Sequence, residues 1–322
     1  MNRMDIDLVY LWVDGNDPAW RAKKNAYLPK DKQLSVAIAG DCRYVSNDEL
    51  KFSLRSAERY APWIHRIYII TDNQRPDWLD TTNDRVRIID HSRIIDRKLL
   101  PLFNAQSIEW HIAAIPDLSE YFLYGNDDTM FGAPVAPDFF FDKEGKPIVR
   151  CKPLRIKKNG APYSQTVWYT QRIVKEHLGR QFSLAPHHNI DAYRKSWFEQ
   201  AAAEFRSEID EAIRFRFREG LCIHRSAVDY YAVAELGAEM RRVGRYNRTE
   251  NWREAVKCFL QRSYKSDSRC IPITAPDFGA VLKRYNPVLF TINDCETATD
   301  ADRQRMRTFL EEMFPEKSSF EK

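Results

Sequence analysis

The chain has 322 residues, of which 43% are hydrophobic and 13% aromatic, and its 50 basic and 46 acidic side chains leave a net charge of +4. This composition excludes a disordered chain, and the length allows one large domain or two smaller ones, each with a sizeable core. The small net charge gives no global indication of nucleic-acid binding.

The six cysteines are scattered along the chain and form no Cys-x-x-Cys pair. They predict neither a zinc site nor a disulfide scaffold, and free thiols in a reducing cytoplasm are the simplest interpretation. The N-terminus lacks the apolar core of a signal peptide, and no apolar run is long enough to span a bilayer. We therefore expect a cytoplasmic protein, with association at the inner face of the membrane left open.

In the first half of the chain, predicted strands alternate with predicted helices. Strands are expected at residues 6–13, 65–71, 85–89 and 121–124, and helices at residues 49–61 and 104–115. Ser46 and Glu49 have the spacing of a capping box at the start of the first of these helices. Such alternation predicts an α/β fold with a largely parallel sheet and flanking helices.

The second half is predicted to be rich in helices, at residues 165–178, 193–217 and 227–239, with a short strand at 290–295. The last residues, 316–322, are charged and are expected to be frayed. We expect a single domain over residues 1–322, in which an α/β half at 1–150 is completed by a mostly helical half at 151–315.

Each predicted strand of the first half runs into an aspartate, namely Asp14, Asp72, Asp90 or Asp127. Ligands of parallel sheets bind outside the carboxyl ends of the strands, so four aspartates at one edge favour a shared site. Asn126, Asp127 and Asp128 leave two interpretations open. Asn and Asp are common in turns, and carboxylates are also preferred ligands of Mg²⁺.

Several common motifs are absent from the sequence: a P-loop, a Gly-x-Gly-x-x-Gly after the first strand, and a Gly-x-Ser-x-Gly elbow. Their absence disfavours a nucleoside triphosphatase, a Rossmann dehydrogenase and an α/β-hydrolase.

Two groups in the second half have side chains suited to catalysis or phosphate binding. His187 and His188 lie in a proline-broken loop, and a histidine can accept a hydroxyl proton, although a structural role is the commoner one. Arg214, Arg216 and Arg218 alternate with phenylalanines, and arginine binds phosphate bidentately unless it is simply on the surface.

Six segments resemble, in order, the four blocks of the Stealth family. They are residues 6–17 with Trp12-Val-Asp-Gly-Asn-Asp17, residues 43–50, 100–109 and 121–132 with the core Asn126-Asp-Asp-Thr-Met-Phe131, residues 186–191 with Pro186-His-His-Asn-Ile-Asp191, and residues 290–294. The family consists of hexose-1-phosphate transferases of bacterial capsule synthesis, related to the α/β subunit of the animal GlcNAc-1-phosphotransferase.

The resemblance implies a role for each matching residue. Asn126, Asp127 and Asp128 would form the metal and diphosphate site, with Asp294 as a further ligand of Mg²⁺ or Mn²⁺. His188 would be the catalytic base, and Arg218 or Arg216 would hold the phosphate. The remaining substrate-binding residues would be Trp12, Asp14, Gly15, Asp17, Asn104 and Glu109, so that residues 1–150 bind the nucleotide sugar and residues 151–315 supply base and arginine.

The implied reaction transfers a sugar-1-phosphate from a UDP-sugar, such as UDP-GlcNAc or a related UDP-hexosamine, to a hydroxyl of a growing capsular polysaccharide or exopolysaccharide. UMP leaves and a phosphodiester forms. One alternative is a metal-dependent glycosyltransferase, which would release UDP. A second is a non-catalytic glycan-binding module, which the eight tryptophans favour.

Overall fold

The central element of the protein is a five-stranded sheet. The computed structural model describes residues 4–30, 34–153, 156–160, 162–219, 222–243 and 266–322. The strands of this sheet are β1 (Ile6–Leu11), β2 (Ile67–Thr71), β3 (Val86–Asp90), β4 (Tyr121–Asn126) and β8 (Asp191–Arg194). Their order is β3-β2-β1-β4-β8, and all neighbours are parallel except β8, which is antiparallel to β4. The predicted α/β fold with a largely parallel sheet is confirmed.

Both faces of this sheet are covered, which explains why its central strands read as nearly continuous apolar runs. Side chains alternate along each strand. Val9 and Phe122 therefore belong to one core cluster, whereas Leu8 and Leu123 belong to the cluster on the opposite face.

Helices cover both faces of the sheet. The α-helices of the described residues are α1 (Pro18–Ala26), α2 (Val36–Ala39), α3 (Glu49–Tyr60), α4 (Ala105–Glu109), α5 (Pro162–Leu178), α6 (Lys195–Glu204), α7 (Arg206–Ala212), α8 (Ser226–Glu235), α9 (Phe278–Tyr285) and α10 (Asp300–Met313). Among the described residues, none of these helices has both the length and the apolar composition needed to cross a bilayer.

Two smaller sheets complete the fold. Their strands are β5 (Thr129–Phe131), β6 (Ile148–Pro153), β7 (Leu184–Pro186), β9 (Glu239–Arg242), β10 (Ser268–Pro272) and β11 (Leu289–Asn293). One sheet has the order β10-β11-β5 and the other β7-β6-β9. The second half thus contains helices, as expected, and β11 confirms the strand predicted at residues 290–295, whereas the short, irregular apolar runs did not predict β7, β9 and β10.

Three helix predictions differ from the structure. The stretch 193–217 is divided into the end of β8, α6 and α7, because Tyr193 pairs with Phe122 in the sheet and the helix is interrupted at Phe205. The stretch 104–115 contains the short α4 and a 3-10 turn at Ile112–Ala114. The capping box is wrong, because Asp48 precedes α3 with a φ of 68° and the Glu49 carboxylate accepts from the Asn47 backbone instead.

The prediction of a frayed C-terminus is also wrong. Phe320 is fully buried against the core, and Glu321 forms an isolated β-bridge with Leu79. Both carboxylate oxygens of Glu321 accept from the Arg55 guanidinium at 2.8 Å, and Arg55 also donates to the Phe314 carbonyl at 2.7 Å. Glu321 of the terminus therefore has a buried cationic partner on α3. The cysteines of the described residues are free thiols, and Cys258 lies outside those residues.

Replacing Arg55 by alanine leaves the buried Glu321 carboxylate without its cationic partner. We expect R55A to lower the free energy of unfolding by about 3–5 kcal/mol, because a buried charge that loses its partner keeps its desolvation cost. Urea denaturation measures this change. R59A on the same helix is the control, since the exposed Arg59 guanidinium donates to the Met313 carbonyl at 3.1 Å. A loss from R55A no greater than that from R59A would show that this pair does not hold the terminus.

Candidate active site

Two aspartates occupy the turn that follows β4 at the carboxyl edge of the sheet. Asn126 ends β4 and Thr129 begins β5, so Asp127 and Asp128 form the connection between the two strands. The Asp128 carbonyl accepts from Ile292 of β11 at 3.3 Å, which fixes the far side of the turn. Asp127 and Asp128 therefore form a turn. Because this turn is attached to two strands, it can hold the two carboxylates in fixed positions for a ligand.

A third carboxylate, Glu49 at the start of α3, lies close to this pair. Burial, followed by the charges of Glu49 and Asp128, raises the pKa of Asp127 well above its usual value. Burial and the charge of Asp128 likewise raise the pKa of Glu49 to about 7, although hydrogen bonds from Asn47 oppose the shift. Negative charge is thus crowded at this edge. Sequence reasoning missed Glu49 because its spacing from Ser46 matched a capping box.

His188 faces the acidic turn. Its Nε2 atom lies 4.0 Å from Asp128 Oδ2, is buried, and has no hydrogen-bond partner among the described residues. Its neighbour is in a different environment: His187 Nδ1 contacts the Ser268 hydroxyl, and burial lowers the pKa of His187 to about 3. His187 is therefore a neutral structural residue, whereas His188 presents an unpaired Nε2 to the acidic turn.

A buried arginine that sequence reasoning missed lies behind Asn126. The Arg225 guanidinium contacts Asp191 Oδ2 at 2.6 Å and Glu109 Oε2 at 3.5 Å, and it stacks over the Tyr124 ring. The Tyr124 hydroxyl is 3.1 Å from Glu109 Oε1 and 3.2 Å from Asn126 Oδ1. Through this chain of contacts, Glu109 supports Asn126. Arg225 directly precedes a helix and stands apart from other arginines, so no pattern singled it out.

Two buried polar atoms of the histidine loop, His188 Nε2 and Asn189 Oδ1, lack hydrogen-bond partners within the described chain. Buried polar atoms of native proteins are nearly always paired, so two orphans in one loop indicate groups that can bind a ligand or water. Glu109 Oε2 and Arg225 Nε also form no hydrogen bond among the described residues, but they lie 3.5 Å apart and face each other as an ion pair.

The loop after β1, predicted to bind the nucleotide, is held by Gln74. The amide of Gln74 accepts from the Asp14 backbone N–H and donates to the Asp14 carbonyl, both at 2.9 Å. It also donates to Asp17 Oδ2 at 2.9 Å, and this bond is the largest cause of the lowered pKa of Asp17, which also caps α1. Asp14 and Asp17 thus shape the loop.

Close packing explains the glycine of this loop. The Gly15 N–H donates to the Tyr44 carbonyl at 2.6 Å, and a Cβ at Gly15 would lie 2.7 Å from Tyr44. Trp12, which precedes the loop, is nearly buried and its Nε1 is 3.4 Å from Ser46 Oγ. Gly15 and Trp12 therefore join the loop to the segment that leads into Glu49.

The four strand-end aspartates do share one edge, because β1 to β4 are parallel. Asp72, however, accepts from Trp20 Nε1 at 2.9 Å and pairs with Lys23 at 2.6 Å. Asp90 caps a 3-10 turn by accepting from Ser92. The expected shared site is therefore limited to the end of β4, and the other aspartates perform turn and capping roles.

Other predicted site residues have defined partners. The buried Asn104 side chain caps α4 by accepting from the Gln106 N–H at 3.2 Å. Arg216 donates to the Pro101 carbonyl at 2.6 Å and covers the Tyr27 ring.

Arg218, in contrast, lies near a second arginine, Arg43. Burial of the Arg43 guanidinium, followed by the positive charge of Arg218, holds the pKa of Arg43 below its usual value. Arg218 and Arg43 therefore place two positive charges near each other.

The predicted metal ligands are not brought together. Asp294 is paired with Arg303, whose Nε donates at 2.9 Å. Within the described residues, no group of three or more His, Cys, Asp or Glu side chains has a geometry that would hold a metal ion. The crowding of negative charge on Asp127, Asp128 and Glu49 nevertheless fits a divalent cation, because a cation at this edge would relieve the repulsion that raises the pKa of Asp127.

The fold and site define an α/β protein with a carboxylate-lined ligand edge. The models of two conserved regions of the Stealth proteins match this chain: conserved region 1 at residues 4–32 and conserved region 2 at residues 43–149. Together, the two matches place conserved regions of the Stealth proteins in the first half of the chain. The matched regions contain the loop after β1, Glu49 and the acidic turn.

Curated relatives extend the similarity beyond these regions. The exopolysaccharide phosphotransferase SCO6023 of Streptomyces coelicolor is 35% identical over 331 residues, covering 99% of this chain and 53% of the relative. The capsular polysaccharide phosphotransferase cps1A of Actinobacillus pleuropneumoniae is 34% identical over 68% of this chain and 62% of its own length. The chain thus spans about half to three fifths of these relatives.

Among solved structures, the galactosyltransferase LgtC in complex with donor and acceptor sugar analogues aligns over 97% of this chain and 98% of its own. The sequence identity is 10% and the TM-score 0.45.

The raised pKa of Glu49 predicts that the free energy of unfolding falls as the pH rises and Glu49 becomes ionised. Its folded pKa, about 7, lies above the usual 4.5, so stability is lost as the pH rises between these values. E49Q cannot ionise, and we expect its free energy of unfolding to change less over this range and to exceed that of the parent at pH 8 by roughly 1–3 kcal/mol.

Urea denaturation at pH 5 and pH 8 measures both quantities for E49Q. The control is E199Q on the exposed surface of α6, which should follow the parent protein at both pH values. If E49Q loses as much stability as the parent between pH 5 and pH 8, ionisation of Glu49 is not the cause.

Proposed function

We propose that this chain is a phosphotransferase that moves a sugar-1-phosphate from a UDP-sugar to a hydroxyl of a growing capsular polysaccharide or exopolysaccharide. The observation that carries the proposal is His188 facing Asp128 across the acidic turn, with an unpaired Nε2 at 4.0 Å. The phosphotransferase names of the curated relatives support the reaction class.

The carboxyl edge of the sheet is suited to a sugar nucleotide. The loop held by Gln74 lies at the end of β1 and the acidic turn at the end of β4, and these strands are neighbours. A ligand that spans the two strand ends would place its nucleoside at the first and its diphosphate at the second. We propose a UDP-hexosamine, such as UDP-GlcNAc, as this donor.

His188 is the proposed base. In the forward step, its Nε2 takes the proton of the acceptor hydroxyl, and the oxygen attacks the phosphorus that carries the sugar. The bond between this phosphorus and the bridging oxygen breaks, and UMP leaves with that oxygen. The product is a phosphodiester between the sugar and the acceptor, as the general chemistry of phosphoryl transfer requires.

Positive charge is required where the transferred phosphoryl group and UMP carry negative charge. Arg218 is the proposed phosphate-binding residue, and its mutual repulsion with Arg43 supports this assignment, since an anion between two guanidinium groups would relieve the repulsion. Arg225 is a positioning residue in this proposal, because its partners Asp191 and Glu109 already neutralise it.

Asp127 and Asp128 would hold Mg²⁺ or Mn²⁺, with Glu49 beside them. When bound, the cation would supply neutralising charge for the diphosphate. Asp294 has a weaker claim to this role, because Arg303 already occupies its carboxylate.

Product identity tests the reaction class. The protein is incubated with a panel of nucleotide sugars, divalent metal and acceptor oligosaccharides, and products are identified by mass. Phosphotransfer from a UDP-sugar yields UMP and an acceptor enlarged by a sugar phosphate. Release of UDP with an acceptor enlarged by the sugar alone would establish a glycosyltransferase instead, and metal-independent binding without turnover would favour a glycan-binding module.

Removal of the base or of the acidic side chain should abolish turnover in a folded protein. We expect H188A to reduce kcat by about 10²–10⁴-fold, the range in which general-base catalysis contributes. D128A should reduce kcat similarly, because the proposed cation would lose a ligand. Rates of UMP release measure the loss, and circular dichroism confirms folding. H177Q is the control, since His177 pairs with Glu204 and Glu208 on the outer helices. A near-parental rate from either folded variant would remove that residue from the mechanism.

A further inference from the structure

A polar cleft of about 250 Å³ lies beside the acidic edge, between the loops after β1 and before α3 on one side and α10 on the other. Neither the proposed base nor the acidic turn lines it. Its lining includes Asn16, Ser46 and Asn47 on one wall and Asp300, Arg303 and Arg307 on the other. Amides, a hydroxyl and charged groups are suited to the hydroxyls of a sugar ring.

The first wall of the cleft is joined to the site. Asn47 donates to the Glu49 carboxylate from its backbone N–H at 2.5 Å and from Nδ2 at 2.9 Å. Asn16 Nδ2 donates to the Ser46 carbonyl at 3.1 Å, which closes the wall. Glu49 in turn acts electrostatically on Asp127. A ligand in the cleft therefore lies against Asn47, which is hydrogen-bonded to the carboxylate that acts on the acidic turn.

The two arginines of the second wall differ in whether an acidic side chain pairs with them. Arg303 is neutralised by Asp294 at 2.9 Å and Asp300 at 3.2 Å. Arg307 donates to the neutral Gln304 Oε1 at 2.8 Å and forms no ion pair with any residue that the structure describes. Arg307 is thus the cation of the cleft that remains available to an anionic ligand.

We propose that this cleft binds the acceptor chain behind its reacting sugar, and that Arg307 binds a phosphodiester of that chain. The inference rests on the proposed function. Each round of sugar-1-phosphate transfer adds a phosphodiester, so the acceptor of the next round carries an anionic group one sugar away from its reacting hydroxyl.

The test compares two synthetic acceptors of equal length and sugar composition, one with an internal phosphodiester and one with only glycosidic bonds. We expect R307Q to raise KM for the phosphodiester acceptor roughly tenfold, the contribution of one charge-assisted contact. KM for the neutral acceptor and for the UDP-sugar should stay at parental values. R206Q is the charge-matched control, because Arg206 pairs with Asp210 on exposed α7.

Two kinetic results would overturn the proposal. Equal KM changes for both acceptors would show that Arg307 does not recognise the phosphodiester. A raised KM for the UDP-sugar, with acceptor KM unchanged, would assign the cleft to the donor sugar instead.

A binding measurement separates this inference from the proposed reaction. Calorimetry with N-acetylglucosamine 1-(methyl phosphate) should show binding by the parent protein and about tenfold weaker binding by R307Q. No binding by the parent, or equal binding by R307Q, would overturn the inference. If R307Q binds more weakly but the parent protein turns over no nucleotide sugar, the cleft is still a binding site for a phosphodiester. The proposed reaction would then be refuted.

Discussion

The crowding of carboxylates at the end of β4 is the interaction on which the rest of the site depends. Asp127, Asp128 and Glu49 repel one another where burial weakens solvation, and this raises the pKa of Asp127. Such an arrangement lowers stability and persists only where the surrounding structure holds it. Here β4 is a central strand between β1 and β8, and the turn is tied to β11.

The antiparallel strand β8 explains how distant parts of the chain meet at this edge. Because β8 runs opposite to β4, the residues before β8 lie at the same edge as the residues after β4. Asp191 therefore pairs with Tyr124 in the ladder, and His188, three residues earlier, reaches the acidic turn. A fifth parallel strand would have put its N-terminal loop at the opposite edge of the sheet.

The parts of the structure that follow local rules could be predicted from the sequence. The strands around Leu8 and Leu123 are mostly apolar because helices cover both faces, and their ends fell within a few residues of the expected positions. Segment 193–217 was harder, since its apolar positions continue with helical spacing from α6 to α7, whereas Tyr193 is held in the sheet by a partner distant in sequence.

The same distinction applies to the candidate site. Asp127, Asp128 and His188 lie in short polar segments bounded by apolar ones, which local patterns single out as candidates, whereas their proposed roles came only from the family resemblance. The positions of Glu49 and Arg225 in the site depend on tertiary contacts. The local sequence of Glu49 suggests a helix cap, and that of Arg225 suggests no specific role. Residues whose role comes from a partner far along the chain cannot be recognised by spacing alone.

The buried cluster around Arg225 is better explained by positioning than by stability. Burying an arginine with carboxylates seldom gains stability over an apolar replacement of similar volume, because desolvation offsets the attraction. Its contacts join Asp191 of β8, Glu109 of α4 and Tyr124 of β4, and Tyr124 contacts Asn126 in turn. One guanidinium thus links the strand that follows the histidine loop to the strand that precedes the acidic turn. The separation between His188 and the acidic turn is thereby fixed by paired charges inside the fold.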